Sequence, residues 1–500
     1  MPTSASLEIH QINVGQGDAV LIINRNLAKV EEYLLRKGVP VPTNPIDWVP
    51  LAVHTAIKES ESLPNDTVNC ALLVDGGGDA YGHDVVTYLE QHGVVQKTSV
   101  VSKKFYVLVS HFHDDHMAGL RSVFKKRVEG VTSDGKKIKT VEERYRPERV
   151  YFTANDKKAD PKMPGFRAFM ADIGKANNPV SGDRTEVIKV LPGGYQEGTA
   201  KKLTEISLGE GAPKLPIVLK VIAAAQSVHM EGATTPTAIA SQGRQADQND
   251  RSIVLMLEYG SFRYFLGGDI GGSGVAEGGN EGSNAMNPKK KRFYSVHADV
   301  ETTLAKALQG LFRATTVFKS GEPKYPWDGY CTVFKANHHG SSSSNDIFLL
   351  STLRPLICVI SAGLKLRFYG HPTQEVMNRM SKKMSPNWAQ RDKKGTVPNS
   401  IDQIYVTECA DKSGNKKFNV ALYEARICGD IVIRPTDESV AAIHAANAPG
   451  TKLVVQVYGT GVQSQFDTKR KVALPITTDR AKTQPPIGYA VGPWFHEDTH

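Results

Sequence analysis

The segment His111-Phe112-His113-Asp114-Asp115-His116 puts three histidines and two aspartates into six consecutive positions. Neutral imidazole and carboxylate are borderline-to-hard ligands, suited to zinc, manganese or iron. His111, His113, Asp115 and His116 are too close in sequence to surround one tetrahedral ion evenly. Shared between two ions a few ångströms apart, they supply two ligands to each. A solvated polar loop is the plain alternative, and the density of ligand-type residues weighs against it.

Two ions need further ligands and a bridging carboxylate. The candidates are Asp269, after Phe265-Leu266-Gly267-Gly268; His338 and His339, after Thr332-Val333-Phe334-Lys335-Ala336; and His371, before Pro372. Singly, an aspartate after two glycines reads as a turn and a His-Pro pair as a bend. Joined to the HxHxDH run, they point to ligation. His229 is a weaker candidate. His10, His54, His83, His92 and His297 lack ligand company in the sequence and read as structural or exposed.

Strands must deliver these side chains. Phe105-Tyr106-Val107-Leu108-Val109 is an apolar run that enters the histidine cluster directly, and Ala71-Leu72-Leu73-Val74 ends in Asp75-Gly76-Gly77-Gly78. Residues 7–14 alternate as a strand, turn at Gly15-Gln16-Gly17-Asp18, and resume as Ala19-Val20-Leu21-Ile22-Ile23. Residues 26–37 have helical spacing, and a proline-rich connector follows from Pro40 to Pro50. A hairpin is predicted from Ile253–Tyr259 and Arg263–Leu266, running into Gly267-Gly268-Asp269. Residues 121–215 are polar and read as insertions. Residues 271–292 are glycine-rich and then basic; Lys289-Lys290-Lys291-Arg292 is read as a solvated cluster before a targeting or nucleic-acid signal. Residues 331–424 alternate strands and helices, and the tail from about 429 reads as a small β appendage. Strands, helices and hairpins in this order predict a mixed α/β layered fold, not a doubly wound parallel sheet.

Bulk composition sets the class. The 500 residues are 40% hydrophobic and 23% charged, ordinary for a globular protein with a large core. Cys70, Cys331, Cys358, Cys409 and Cys428 form no CxxC pair, so neither a thiolate zinc site nor a disulfide framework is expected. The beginning of the chain carries no secretory pattern and no run is long enough for a membrane span, so a cytoplasmic setting is expected. A net charge of +9 favours a polyanionic or phosphate-bearing substrate.

With these residues in hand, the chain resembles the metallo-β-lactamase superfamily, whose HxHxDH run is followed by distant Asp and His ligands. The closer resemblance is to the metallo-hydrolase domain of the bacterial DNA-uptake channel ComEC and its free-standing relatives. It rests on Val14-Gly15-Gln16-Gly17-Asp18-Ala19, Leu73-Val74-Asp75-Gly76-Gly77, Asn337-His338-His339-Gly340-Ser341 and Tyr369-Gly370-His371-Pro372. It implies a four-layer αββα sandwich over residues 1–435, with insertions at about 24–68, 121–215 and 271–330 and a C-terminal extension over 436–500. His111, His113 and His338 would hold one ion, and Asp115, His116 and His371 the other. Asp269 would bridge them. Which of His338 and His339 binds is open. ComEC domains often carry an aspartate where His113 stands, and most superfamily members place a ligand histidine before the bridging Asp, where only His229 is available here.

The expected cofactors are therefore two divalent ions, zinc or manganese, which would provide hydroxide near neutral pH. Asp115 or Asp75 would orient that hydroxide or take its proton; Asp75 reads equally as a residue tying loops together. Gly340, Ser341 and Ser342 could offer backbone N–H groups to a phosphate. The leading expectation is hydrolysis of phosphodiesters in nucleic acid or nucleotides. The alternatives are hydrolysis of a small ester, lactone or thioester, and a binding or effector protein with a degenerate site.

Overall fold

Apolar runs without polar alternation belong to strands covered on both faces. In the chain, Leu21, Ile23, Ala71 and Leu73 pack to one side of their sheet, and Val20, Ile22, Leu72 and Val74 to the other. The computed structural model describes residues 6–43, 45–131, 137–153, 164–176, 185–211, 214–229, 237–238, 248–260, 262–272, 298–316, 331–363, 371–389, 396–408, 420–435, 453–459, 465–467, 472–474 and 487–491. The basic run Lys289–Arg292 and Cys409 lie outside them. The other four cysteines are buried and form no disulfide among the described residues. Among the described residues, no helix is long and apolar enough to cross a membrane.

The chain is mixed α/β, with two large sheets. The first has the order Ile487–Val491, Leu453–Gly459, Ile431–Pro435, Leu7–Gln11, Val20–Arg25, Val68–Val74, Val101–Val109, Arg146–Thr153, Glu186–Val190. It is antiparallel as far as Val68–Val74, and parallel from there on. The second has the order Thr237–Ala238, Ser227–Val228, Leu215–Ala224, Val254–Tyr259, Phe262–Leu266, Val333–Lys335, Ile357–Ile360, Gln403–Val406, Ala425–Ile427, with Glu205–Gly211 also paired to Leu215–Ala224. Its change from antiparallel to parallel comes at Phe262–Leu266.

One apolar cluster takes residues from both sheets: Leu7, Ile9, Leu72 and Leu108 from the first, Leu219, Val221, Leu255, Leu257 and Leu266 from the second. Each such side chain, fully buried, contributes about 1.5–3 kcal/mol. The other face of the first sheet packs on helices Gly82–Gln91, Leu120–Phe124 and Pro164–Ala176 through Val85, Leu89, Phe124 and Phe169. The other face of the second packs on Val300–Thr316, Ile347–Leu353 and Gln374–Met380 through Leu304, Leu308, Leu350 and Met377.

Two stretches differ from the sequence reading. Residues 121–215 do carry a two-stranded hairpin, Lys125–Val131 with Lys137–Glu143, that stands outside the large sheets. They also supply Arg146–Thr153 and Glu186–Val190 to the first sheet and Glu205–Gly211 to the second. Glu186–Val190 is an edge strand with an exposed start, so its charged residues mask it in a hydropathy pattern. In the tail, Leu453–Gly459 and Ile487–Val491 extend the first sheet beyond Ile431–Pro435 instead of forming a separate appendage. The segment before Val68 contains helices Leu27–Arg36 and Trp48–Lys58, which share their own small core around Tyr33, Leu34 and Ala52.

Candidate metal centre

Parallel strands leave their C-terminal ends on one edge, where the following loops can meet. Val68–Val74 ends at Asp75 and Val101–Val109 at Ser110 and His111. Phe262–Leu266 leads to Asp269, Val333–Lys335 to His338 and His339, and Ile357–Ile360 to Ser361. The two groups of loops are tied by the Ile253 N–H donating to the Ser110 carbonyl at 3.0 Å.

In the first group, the Asp75 carboxylate accepts from the Ser110 N–H at 2.7 Å and from its hydroxyl at 2.6 Å. Its Oδ2 also lies 2.8 Å from Nδ1 of His116. His116 stands on the single helical turn Asp114–Met117, which brings it back beside His111 with ring centroids 4.1 Å apart. In the second group, Nδ1 of His339 donates to the Ser361 carbonyl at 3.1 Å. Nδ1 of His111 faces the hydroxyls of Ser110 and Ser252 at 3.1 and 3.4 Å. All three rings thus engage Nδ1 outward and point Nε2 inward; such outer contacts orient a metal-binding imidazole.

Asp269 is where they meet. Its Oδ2 is 3.1 Å from His116 Nε2, 3.5 Å from His339 Nε2, 3.8 Å from His338 Nε2 and 3.9 Å from His111 Nε2. Gly268, with φ of +58°, makes the turn that presents it, and the Asp269 N–H donates to Ser252 Oγ at 3.2 Å. Asp75, His338 and His339 all have left-handed backbone, φ +60°, +48° and +53°. Such conformations cost on the order of 1–3 kcal/mol each and cluster at functional sites.

Asp18 belongs to the same cluster. Asp18, His116, Asp269 and His339 are all buried, each offers a ligand atom, and these atoms lie within 4.8 Å of one another; this group can hold a metal ion. Nε2 of His111 and Oδ1 of Asp18 and Asp269 are buried and make no hydrogen bond, and Nε2 of His116 and His339 face the Asp269 carboxylate. A buried polar atom left without a partner costs about 1–3 kcal/mol, so an unsatisfied Asp269 oxygen ringed by imidazole nitrogens fits a cation there. The donors are nitrogen and oxygen only, a set that suits zinc, manganese or iron. Sequence reasoning placed Asp18 in a turn and in the Val14–Ala19 motif, which was the available signal, but not among the ligands. A Cβ at Gly17 would collide with the Asp115 carbonyl, so the two loops touch there.

Charge within the cluster is redistributed. Burial opposes a charge on His116, but the carboxylates of Asp269 and Asp75 outweigh it and hold the ring well above the ordinary histidine range. Burial is likewise overcome at His339, which Asp269, Asp18 and Asp115 push up to about 10. Burial and the neighbouring His116 push His111 well below the ordinary range. Burial disfavours the carboxylate of Asp269, yet His116, His339 and His338 hold it well below the usual value. Protons on two imidazoles therefore provide the positive charge that a bound cation would provide, so binding should release them.

The remaining candidates are arranged differently from the sequence expectation. His339 stands with Asp115, its Nε2 3.4 Å from Asp115 Oδ2, and its ring is 5.1 Å from that of His116. His371 instead stands beside His338, with ring centroids 5.2 Å apart. It is thus His339 that stands beside Asp115 and His116, the place expected for His371, while both His338 and His339 reach the same Asp269 oxygen. His113 packs edge-on against His111 at 4.8 Å. Asp75 has its oxygens committed to Ser110 and His116, which makes it a support for the ring and leaves the role of a reacting base without geometric backing. Gly340 turns with φ of +81° against Pro372, Ser341 bonds Ser343 within its own loop at 2.9 Å, and Ser342 is half-buried. The ring of His229 lies against Gly194, with Nδ1 3.2 Å from the Ser227 carbonyl.

His10 and His92, read as having no ligand company, sit with Glu8 in a second buried group. The Glu8 carboxylate is already engaged by Arg25 and Arg434, each at 2.6 Å, and Arg25 also lies 3.1 Å from His92 Nδ1. Two guanidinium groups there oppose a further cation, and the group reads as a buried ion network. No family model matches the chain, and a search of curated proteins finds no match to it.

Proposed function

We propose that the chain is a binuclear-metal-dependent hydrolase of the metallo-β-lactamase type, acting on phosphodiesters of nucleic acid or nucleotides. The observation that carries this reading is the convergence of four imidazoles on Asp269 from the strand ends of both sheets. A shared core between two sheets, with helices on both outer faces, supports the four-layer αββα arrangement. Asp269 would lie between two ions, one near His111, His113, His338 and His371, the other near Asp18, Asp115, His116 and His339. Zinc or manganese held there would supply Lewis acidity and lower the pKa of water at the site.

The residues themselves divide the work. Asp75 and Ser361 hold the rings of His116 and His339 from behind. Asp18, Asp75 and Asp269 have side chains only 2–3% exposed, whereas Asp115 is 35% exposed. Asp115 is the carboxylate of this group that reaches solvent, and His339 and His116 outweigh its burial and hold it well below the usual carboxylate range, which suits it to orienting a water. The net charge of +9 and the Gly340–Ser342 turn beside the histidines favour an anionic phosphodiester.

The deciding experiment is metal analysis of purified protein, then a screen of zinc- and manganese-loaded protein on single-stranded DNA, RNA, cyclic nucleotides and a generic phosphodiester. The expected result is two ions per chain and cleavage that His111→Ala with Asp115→Ala abolishes. A nucleic-acid substrate should also bind with a steep fall in affinity as salt rises. Cleavage of carboxylic esters or thioesters alone would reject the phosphodiester reading, and no metal uptake would reject the hydrolase reading.

A further inference from the structure

Lys335 ends the strand Val333–Lys335 and is 1% exposed. Its Nζ lies 2.5 Å from Oδ2 of Asp18 and donates to the Ala336 carbonyl at 3.1 Å. Asp18 is itself 2% exposed and its backbone is held at both ends: its N–H donates to the Asp115 carbonyl at 3.1 Å, and its carbonyl accepts from Gly77 at 2.7 Å. Its other oxygen, Oδ1, makes no hydrogen bond and is 3.6 Å from Nδ1 of His339.

A buried ion pair is weak evidence for stability, since desolvation of both charges offsets much of their attraction. The position of this one is more informative. Asp18, Asp75, Asp115 and Asp269 bring several carboxylates into a small buried volume, and Lys335 is the ammonium among them. A carboxylate has lone pairs on both oxygens, so a cation on Oδ2 leaves Oδ1 to face the Nδ1 side of His339. Lys335 lies on the segment that leads directly into His338 and His339, so one strand end carries both the histidines and the anchor for Asp18.

Resting on the metal-centre reading above, we infer that Lys335 is a positioning residue that holds Asp18 by Oδ2 beside Nδ1 of His116 and His339, and so sets the two rings whose Nε2 atoms face Asp269 and the ion they share. Without the ammonium, Asp18 would be a buried carboxylate with no fixed orientation. The two rings beside it would then lose the contact that sets them. The ion near His111, His113 and His338 does not depend on Asp18 and should be bound as before.

The test is zinc binding by metal-free wild type, Lys335→Met, Asp18→Asn and the double variant, measured by competition with a chromophoric chelator. The visible spectrum of each cobalt-loaded protein is recorded as well. Wild type should bind two ions. Lys335→Met and Asp18→Asn should each keep one tight ion, weaken the other about 10- to 100-fold, and change the cobalt spectrum in the same way. The double variant should bind no more weakly than Asp18→Asn, because the two residues act as a unit. Circular dichroism checks folding, and if Lys335→Met is unfolded the near-isosteric Asp18→Asn decides. A well-folded Lys335→Met with wild-type affinity for two ions and an unchanged spectrum overturns the role of Lys335 alone. Wild type that takes up no zinc or cobalt overturns the metal centre and this role with it.

Discussion

Oδ2 of Asp75 lies 2.8 Å from Nδ1 of His116, on the side of the ring away from Asp269. The pair has the form of a carboxylate steering a metal-binding imidazole, with Ser110 fixing the carboxylate in turn. Asp75→Asn keeps the shape but leaves one acceptor oxygen for the donors of Ser110 and His116. Metal affinity should fall about 10- to 100-fold, with a stability loss of about 1–3 kcal/mol. Zinc titration and urea unfolding measure the two effects; unchanged affinity would show that the ring needs no such partner.

His339 and His371 should behave differently on truncation. His339→Ala removes a member of the Asp18–His116–Asp269–His339 group and should reduce stoichiometry by about one ion. His371→Ala touches the surroundings of His338 and leaves that group whole, so the ion held there should remain. Metal analysis after dialysis separates them. The reverse pattern would return the second position to His371.

Gly17→Ala should injure the centre without removing any ligand. Its Cβ would lie 2.4 Å from the Asp115 carbonyl, at a backbone φ of +149° that side chains rarely adopt. The loops carrying Asp18 and Asp115 must then part, at a cost of about 1–3 kcal/mol and with weakened metal binding. Gly38→Ala is the control: φ is +67°, and nothing lies within 4 Å of the added carbon. It should lose about 1–2 kcal/mol from backbone strain alone and keep wild-type metal affinity. Equal metal loss in both variants would contradict the contact argument.

Glu301 gives a pH dependence with a definite sign. It is fully buried and accepts from Asn337 Nδ2 at 2.7 Å and from the N–H groups of Asn345 and Asp346 at 2.6 and 2.7 Å, pinning both ends of the loop that carries His338 and His339. Burial, and then the Asp346 carboxylate, raise its pKa from 4.5 to about 8. Between these values the native state keeps a proton that the unfolded state has released. Its contribution is complete below about 4.5 and is lost as pH rises to about 8. Urea unfolding across that window should show wild type losing stability relative to Glu301→Gln, with the difference levelling off above it. A constant difference at every pH would refute the shift.

Much of the fold is legible as local pattern. The runs at 71–74, 105–109, 254–259 and 262–266 lie in strands because both their faces are largely buried, and 217–222 lies in a strand with one face partly open; apolar content reports burial directly. The edge strand Glu186–Val190 is not legible in this way, since its charges reach solvent. Leu453–Gly459 and Ile487–Val491 are strand-like in sequence, but their partner Ile431–Pro435 is a matter of long-range pairing.

Residue order alone displays the histidine- and aspartate-rich run His111–His116 and marks Asp269, His338, His339 and His371 at the ends of apolar segments. These features are local: residue type and strand boundary are set within a few positions. Folding adds what is not local: Asp18 enters the cluster, His339 stands beside Asp115 and His116, and Asp75 lies behind the His116 ring. Those relations depend on the parallel pairing of Val68–Val74 with Val101–Val109 and of Phe262–Leu266 with Val333–Lys335. They depend equally on the contact of Gly17 with Asp115. Packing brings such loops together across long stretches of chain, and residue spacing carries no trace of which strand ends will meet.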